Sequence, residues 1–238
     1  MQKLLIFTLI FSFLTACDTS GLKSDLTIIE DIALPIAEPS GITSINNKLL
    51  IVSDSNGVIY TTDLEGKLLN KQQTSFQDLE GVTATNSKTI AVVDEEGRQL
   101  AIVNRATTEK FRIKGENQNN NGLEGIAYNP LNKTFWIVQE KYPVKIININ
   151  SLGTILDEYI IDFTSDLSGI CFDKNSNSLW AISDENQNIF QISLEGKLLN
   201  SYKIPVFKAE GITIVNNRIY VVSDAYSKLY IFKMPKLQ

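Results

Sequence analysis

The chain has 238 residues, with 27 acidic against 22 basic side chains, a formal net charge of −5 and no histidine. A moderately acidic chain without a Lys/Arg run excludes nucleic acid as a partner. The lack of imidazole excludes Ser-His-Asp and Cys-His catalysis and any His-bearing zinc site, so chemistry here must run on carboxylates, lysines, tyrosines or a bound hard cation.

The chain opens with Lys3 and an apolar run from Leu4 to Leu14. That run is too short for a permanent spanning helix and fits a signal peptide over residues 1–16. Leu14-Thr15-Ala16-Cys17 resembles the bacterial lipobox. It predicts a lipoprotein held at a membrane of the cell envelope by its lipid anchor at Cys17, exposed outside the cytoplasm, with residues 17–24 as a polar tether. Cys171 is then alone, no intrachain disulfide is possible, and a small buried side chain is the expected role. A single domain is expected over residues 25–238.

From Leu26 the sequence is strand-like almost throughout, without helical apolar spacing. After a lone strand, Leu26 to Ile32, a landmark recurs five times: Pro39-Ser40-Gly41, Leu79-Glu80-Gly81, Leu123-Glu124-Gly125, Leu167-Ser168-Gly169 and Ala209-Glu210-Gly211. The glycines stand 40, 44, 44 and 42 residues apart, a period that signals a propeller, a solenoid or an array. Each copy divides into four short runs. In the first these are Ile42 to Ile45, Lys48 to Ser53, Val58 to Thr62 and Lys67 to Gln72, punctuated by Asn, Asp and Gly of hairpin-turn type. The two longer copies carry two extra residues at a single turn, around Asn129 to Asn132 and Asp173 to Ser176. Four antiparallel strands per unit of this length make the blade of a β-propeller. The last copy stops after its third strand, Lys228 to Lys233, so Leu26 to Ile32 is expected to pair with it and close the ring. The fold expected is all-β, a five-bladed β-propeller.

The same period places acids. The residue before each repeat glycine falls at one mouth of the central channel, which gathers Glu80, Glu124 and Glu210, with Ser40 and Ser168 at the other two places. Around this ring lie the acids that end the second strands: Asp54, Asp94, Glu140, Asp184 and Asp224, with Glu95 and Glu185 adjacent. Converging carboxylates must raise their pKa values or be compensated by cations. A ring of Glu carboxylates with Ser hydroxyls and backbone carbonyls offers the oxygens that calcium takes. Alternatively, each Glu accepts backbone N–H bonds from the next blade and pins the blades together, and the outer acids are solvated turn residues. Trp136 and Trp180, both in second strands, are expected to pack between blades.

Taken in order, Asp78-Leu79-Glu80, Gly122 to Tyr128, Asp166-Leu167-Ser168-Gly169 and Ala209-Glu210-Gly211-Ile212 resemble the SdiA-regulated (YjiK-like) β-propeller proteins of bacterial envelopes. Val93-Asp94-Glu95, Gln139 to Pro143 and Ser183-Asp184-Glu185 extend the likeness over roughly residues 25–232. The hairpin after Pro39-Ser40-Gly41 is shorter than the family pattern. The resemblance implies the propeller fold, the cell envelope and a link to calcium, and brings no established reaction with it.

The function expected is an envelope-anchored lipoprotein acting as a calcium-linked binding or scaffold module with an acidic central site. Its partners would be a membrane, through the anchor, and a small-molecule or protein ligand at the channel mouth; it is expected to act as a monomer. The alternative is a calcium-dependent hydrolase of lactonase or phosphoesterase type at the same mouth, with Asp184 or Glu140 as base and Lys141 or Tyr142 holding an anion. Fold alone does not choose between them.

Overall fold

The structure is a computed structural model that describes residues 23–95, 97–104, 106–115 and 122–236. Residues 1–16, expected as a signal peptide, and Cys17 lie outside the described residues. The chain begins with β1 (Lys23–Asp25) and β2 (Ile28–Ala33). Four complete blades follow. They are β3 to β6 (Pro39–Ile45, Lys48–Ser53, Val58–Thr62, Leu68–Gln73), β7 to β10 (Leu79–Ala84, Ile90–Asp94, Gln99–Val103, Thr108–Arg112), β11 to β14 (Leu123–Asn129, Thr134–Gln139, Lys145–Ile149, Ile155–Ile160) and β15 to β18 (Gly169–Asp173, Ser178–Ser183, Asn188–Ile192, Leu198–Lys203). The last blade has β19 (Ala209–Val215), β20 (Arg218–Ser223) and β21 (Lys228–Lys233), and β2 is its fourth strand. The ring therefore closes as the sequence predicts, with Ile28 opposite Phe232 and Ala33 opposite Lys228. Residues 23 and 24, expected as tether, belong instead to β1, which lies parallel to β18 and extends the fourth blade to five strands.

The turns follow the local chemistry. Asn46-Asn47 and Asn216-Asn217 make the first hairpins of the first and last blades, all four with φ between 49° and 60°, which Asn tolerates. Gly66, Gly153 and Gly196, with φ of 73–76°, turn the chain between third and fourth strands.

The apolar residues collect into five clusters, one between each pair of neighbouring blades. The second strands are buried on both sides, and their near-continuous apolar runs are split by the pleat. In β4, Leu49 and Ile51 pack toward the last blade, while Leu50 and Val52 pack toward the second. Trp136 and Trp180 pack between blades as expected, each stacked on a tyrosine, Tyr159 and Tyr202 respectively. Fourth strands such as β6 are exposed along most of their length. Cys171 is buried and, among the described residues, is a free thiol; burial pushes its pKa up.

Candidate functional site: an acidic channel mouth

First strands of neighbouring blades approach one another closely at the repeat glycines. A Cβ at Gly81 would come 2.6 Å from Glu124 O and 2.8 Å from Ile126 N of the next blade. The glycine ring narrows the channel to about 10 Å³, room for one water. Glu80, Glu124 and Glu210 stand at its rim. At the other two places, Ser40 Oγ donates to Leu79 O (2.5 Å) and Ser168 Oγ to Ala209 O (2.8 Å), each in the following blade. The serines are thus the inter-blade pins. Among the described residues the side chains of Glu80, Glu124 and Glu210 accept no hydrogen bond, although Lys208 approaches Glu210 as an ion pair.

Strand register corrects one member of the outer ring. Gly41 pairs with Val52, Gly81 with Val93, Gly169 with Ile182 and Gly211 with Val222. Two residues beyond those partners lie Asp54, Glu95, Asp184 and Asp224. Glu95, and not Asp94, is therefore the second blade's acid at the mouth. The spacing of thirteen that selects Asp94 conceals one extra residue in the β7–β8 turn. Asp94 sits one pleat out of phase, buried, and accepts the Gly97 N–H. The main chain confirms the equivalence. Glu95 N donates to Asp78 O, Glu140 N to Gly122 O and Asp224 N to Lys208 O, at 3.0–3.1 Å.

Those acceptors belong to a further set, three positions before each glycine, whose role the sequence reading leaves unassigned: Glu38, Asp78, Gly122, Asp166 and Lys208. Asp166 is buried and accepts from Ser183 Oγ, Asp184 N and Glu185 N, latching the β16–β17 turn. Lys208 reaches Asp184 at 3.1 Å and Glu210 at 3.8 Å. Lys141 reaches Glu140 at 2.6 Å and Glu185 at 3.0 Å. The half of the mouth built by the last three blades thus carries its own cations.

The other half differs. The carboxylates of Asp78, Glu80 and Glu95 each place an oxygen within 4.8 Å of the others. Glu124 adjoins them across Gly122, where a Cβ would fall on Glu95 Oε1 and within 2.8 Å of Glu124 Oε1. Gly122 is the cradle that admits the Glu95 carboxylate. Asp54 Oδ1 is buried and has no hydrogen-bond partner among the described residues. Of the three rim glutamates, the structure joins Glu80 to Asp78 and Glu95, while Glu210 has Lys208.

The electrostatics follow. Burial first, then Glu124, Asp78, Asp54 and Glu95, push the Glu80 carboxyl well above the usual range. Burial, Glu95, Glu140 and Glu210 do the same to Glu124. Burial raises Glu210 to about 7 against the pull of Lys208, and raises Asp54 to about 6 with help from Glu38 and Asp224. Glu95 and Asp224 are raised by burial and by neighbouring acids.

This donor set fits a divalent cation. Calcium binds oxygens at about 2.3–2.6 Å, so ligands on opposite sides of one ion lie about 5 Å apart, a span that the oxygens of Asp78, Glu80 and Glu95 do not exceed. The Gly122 cradle and the unpartnered Asp54 oxygen are what an oxygen-binding ion would use. Asp78, Glu80 and Glu95 would hold it, with Glu124 beside them.

An all-β chain of five closed blades, with its acids gathered at one mouth, is a five-bladed β-propeller. The sequence profile of the SdiA-regulated family matches residues 28–159 and 153–238, and the chain belongs to that family. Solved propellers share the fold at low identity. The glutaminyl cyclase of Myxococcus xanthus aligns over 92% of this chain and 100% of its own, at 11% identity and a TM-score of 0.70. Virginiamycin B lyase of Staphylococcus aureus aligns over 87% and 74% respectively, at 19% identity and a TM-score of 0.53. A chain of a nidogen–laminin complex aligns over 82% and 76%, at 14% identity and a TM-score of 0.59.

Proposed function

We propose that this propeller is an envelope-anchored binding module whose acidic mouth takes a calcium ion at Asp78, Glu80 and Glu95, with Glu124 adjoining. The observation that carries the reading is the asymmetry of the mouth. Lys141 and Lys208 compensate one half, whereas the other gathers three carboxylates within 4.8 Å with no ion-paired cation among the described residues. Carboxylates so placed either bind protons or bind a cation.

The hydrolase reading needs a free base and an anion-holding cation beside the metal. Lys141 is engaged by Glu140 and Glu185, and Asp184 by Lys208, which favours binding over catalysis. The test is calorimetric titration of calcium into chelator-treated protein. One ion per chain is expected, with Glu80→Gln losing most of the affinity and Glu210→Gln losing little. Equal effects of the two substitutions would move the site to the channel axis, and no binding heat would remove it.

A further inference from the structure

The opposite end of the channel is a separate site of opposite character. It opens as a funnel of about 200 Å³, cut off from the acidic mouth by the one-water throat. Its wall carries Thr43, Thr83 and Thr213, the residues two places after their repeat glycines, all 9% exposed or less. Thr83 Oγ1 accepts the Tyr128 N–H of the next blade (3.1 Å), which leaves its hydroxyl proton free to donate. Tyr128 and Phe172 also line the space, half-buried against the adjoining blade interfaces, with the Tyr128 ring packed on Phe135, and Lys174 is the one charged side chain among the described residues lining it.

Charge is organised around this funnel. Where first strand passes to second, every blade carries one exposed basic residue: Lys88, Lys133 and Lys174 in the turn, Lys48 and Arg218 as the first residues of β4 and β20. None of these makes a salt bridge among the described residues. Neighbouring turns touch, Asn216 donating to Asn47 Oδ1 and Asn46 to Ser87 O, so part of the collar is continuous. Asp173, beside Lys174 in the chain, is buried, and its carboxylate is occupied by the N–H groups of Asn175 and Ser176 and the Ser176 hydroxyl.

We propose that this funnel binds a monosaccharide-sized anionic sugar, a sugar acid or sugar phosphate. The threonine hydroxyls would meet its hydroxyl groups, Tyr128 and Phe172 its apolar face, and Lys174 within the basic collar its acidic substituent. Each pairing follows from chemistry. Hydroxyl donors and acceptors match a polyol, ring faces bury C–H surface, and an ammonium group is a point charge for carboxylate or phosphate. Without a cation, the acids at the other mouth repel these anions, so binding in chelator belongs to the funnel.

The experiment titrates the full-length protein with glucuronate, glucose 6-phosphate, glucose and inorganic phosphate, in calcium and in chelator. Both anionic sugars, or one of them, should bind with or without calcium, and glucose should be weaker by at least about tenfold. Binding by only one of the two identifies the acidic substituent. Lys174→Met, at an exposed position, should weaken the anionic sugar about tenfold and leave calcium binding at the other mouth unchanged. Thr213→Val should weaken all three sugars together. The proposal is overturned if neither anionic sugar binds at about 10 mM, if Lys174→Met leaves their binding intact, or if inorganic phosphate binds as tightly as glucose 6-phosphate.

Discussion

At the residue scale, the mouth is decided by the position three before each repeat glycine. Asp166 spends its carboxylate on a turn, Lys208 neutralises Asp184 and Glu210, and Gly122 makes the space that Glu95 enters. Gly122→Ala must evict the Glu95 carboxylate. Calcium affinity should fall about 10- to 100-fold, as it does when a ligand's support is lost, with the fold retained; unchanged affinity in a titration would detach Glu95 from the site. Gly81→Ala drives a Cβ into the next blade's backbone, where no side chain can yield, and should cost about 1–3 kcal/mol by chemical denaturation. The raised carboxyls set a pH dependence. Asp54 rises from 3.8 to about 6 and Glu210 from 4.5 to about 7 on folding. Groups whose folded-state pKa lies above the unfolded one favour the fold when protonated. Their contribution is complete below about pH 4 and is lost as pH climbs through 6 and 7. In chelator, melting temperature should therefore fall between pH 5 and pH 8, and calcium should flatten the fall by replacing protons. A melting temperature that rises over that range in chelator would contradict the assignment.

At the scale of elements, the N-terminal segment serves two blades. β2 supplies the outer partner of β21, and without it that strand is left as an open edge. Deleting residues 18–33 should abolish cooperative melting. Deleting 18–25 removes only β1 and should cost a few degrees. Equal melting of the two truncations would refute closure by β2. β2 was legible because Leu26 to Ile32 is apolar and the last repeat lacks a strand; its observed span, Ile28–Ala33, is shifted by one or two residues. β1 was not legible, since Lys-Ser-Asp carries no strand signal and its only support is the exposed edge of β18. Glu95 was hidden for a different reason. Spacing counts residues, while the ladder counts pairs, and one residue added to a turn makes the two disagree. Asp78 and Lys208 lie outside the repeated motif, so their convergence on the mouth emerges only when blades are assembled.

At the scale of the whole molecule, the two ends of the channel carry opposite charge. Acids crowd the mouth where second strands end, and at the far end every blade carries a Lys or Arg in the turn before its second strand or as that strand's first residue. A cation at one end and an anion at the other would each relieve local repulsion, and the throat keeps the two sites apart. Anchoring at Cys17 would set β1 only six residues from the membrane, so the fourth blade's outer edge, where β1 pairs, would lie nearest the lipid. Cys17→Ser should leave the membrane fraction, and a variant that stays there in high salt would refute the anchor. The central claim is that the acidic mouth holds a divalent cation. It is tested most directly by melting the protein at neutral pH in chelator and in millimolar calcium. A ligand bound only by the fold adds RT ln(1 + [L]/Kd), about 2.7 kcal/mol at a hundredfold excess over Kd. The calcium-loaded protein should therefore melt several degrees higher, and Glu80→Gln should shrink that gap; identical melting curves in chelator and in calcium would contradict the account.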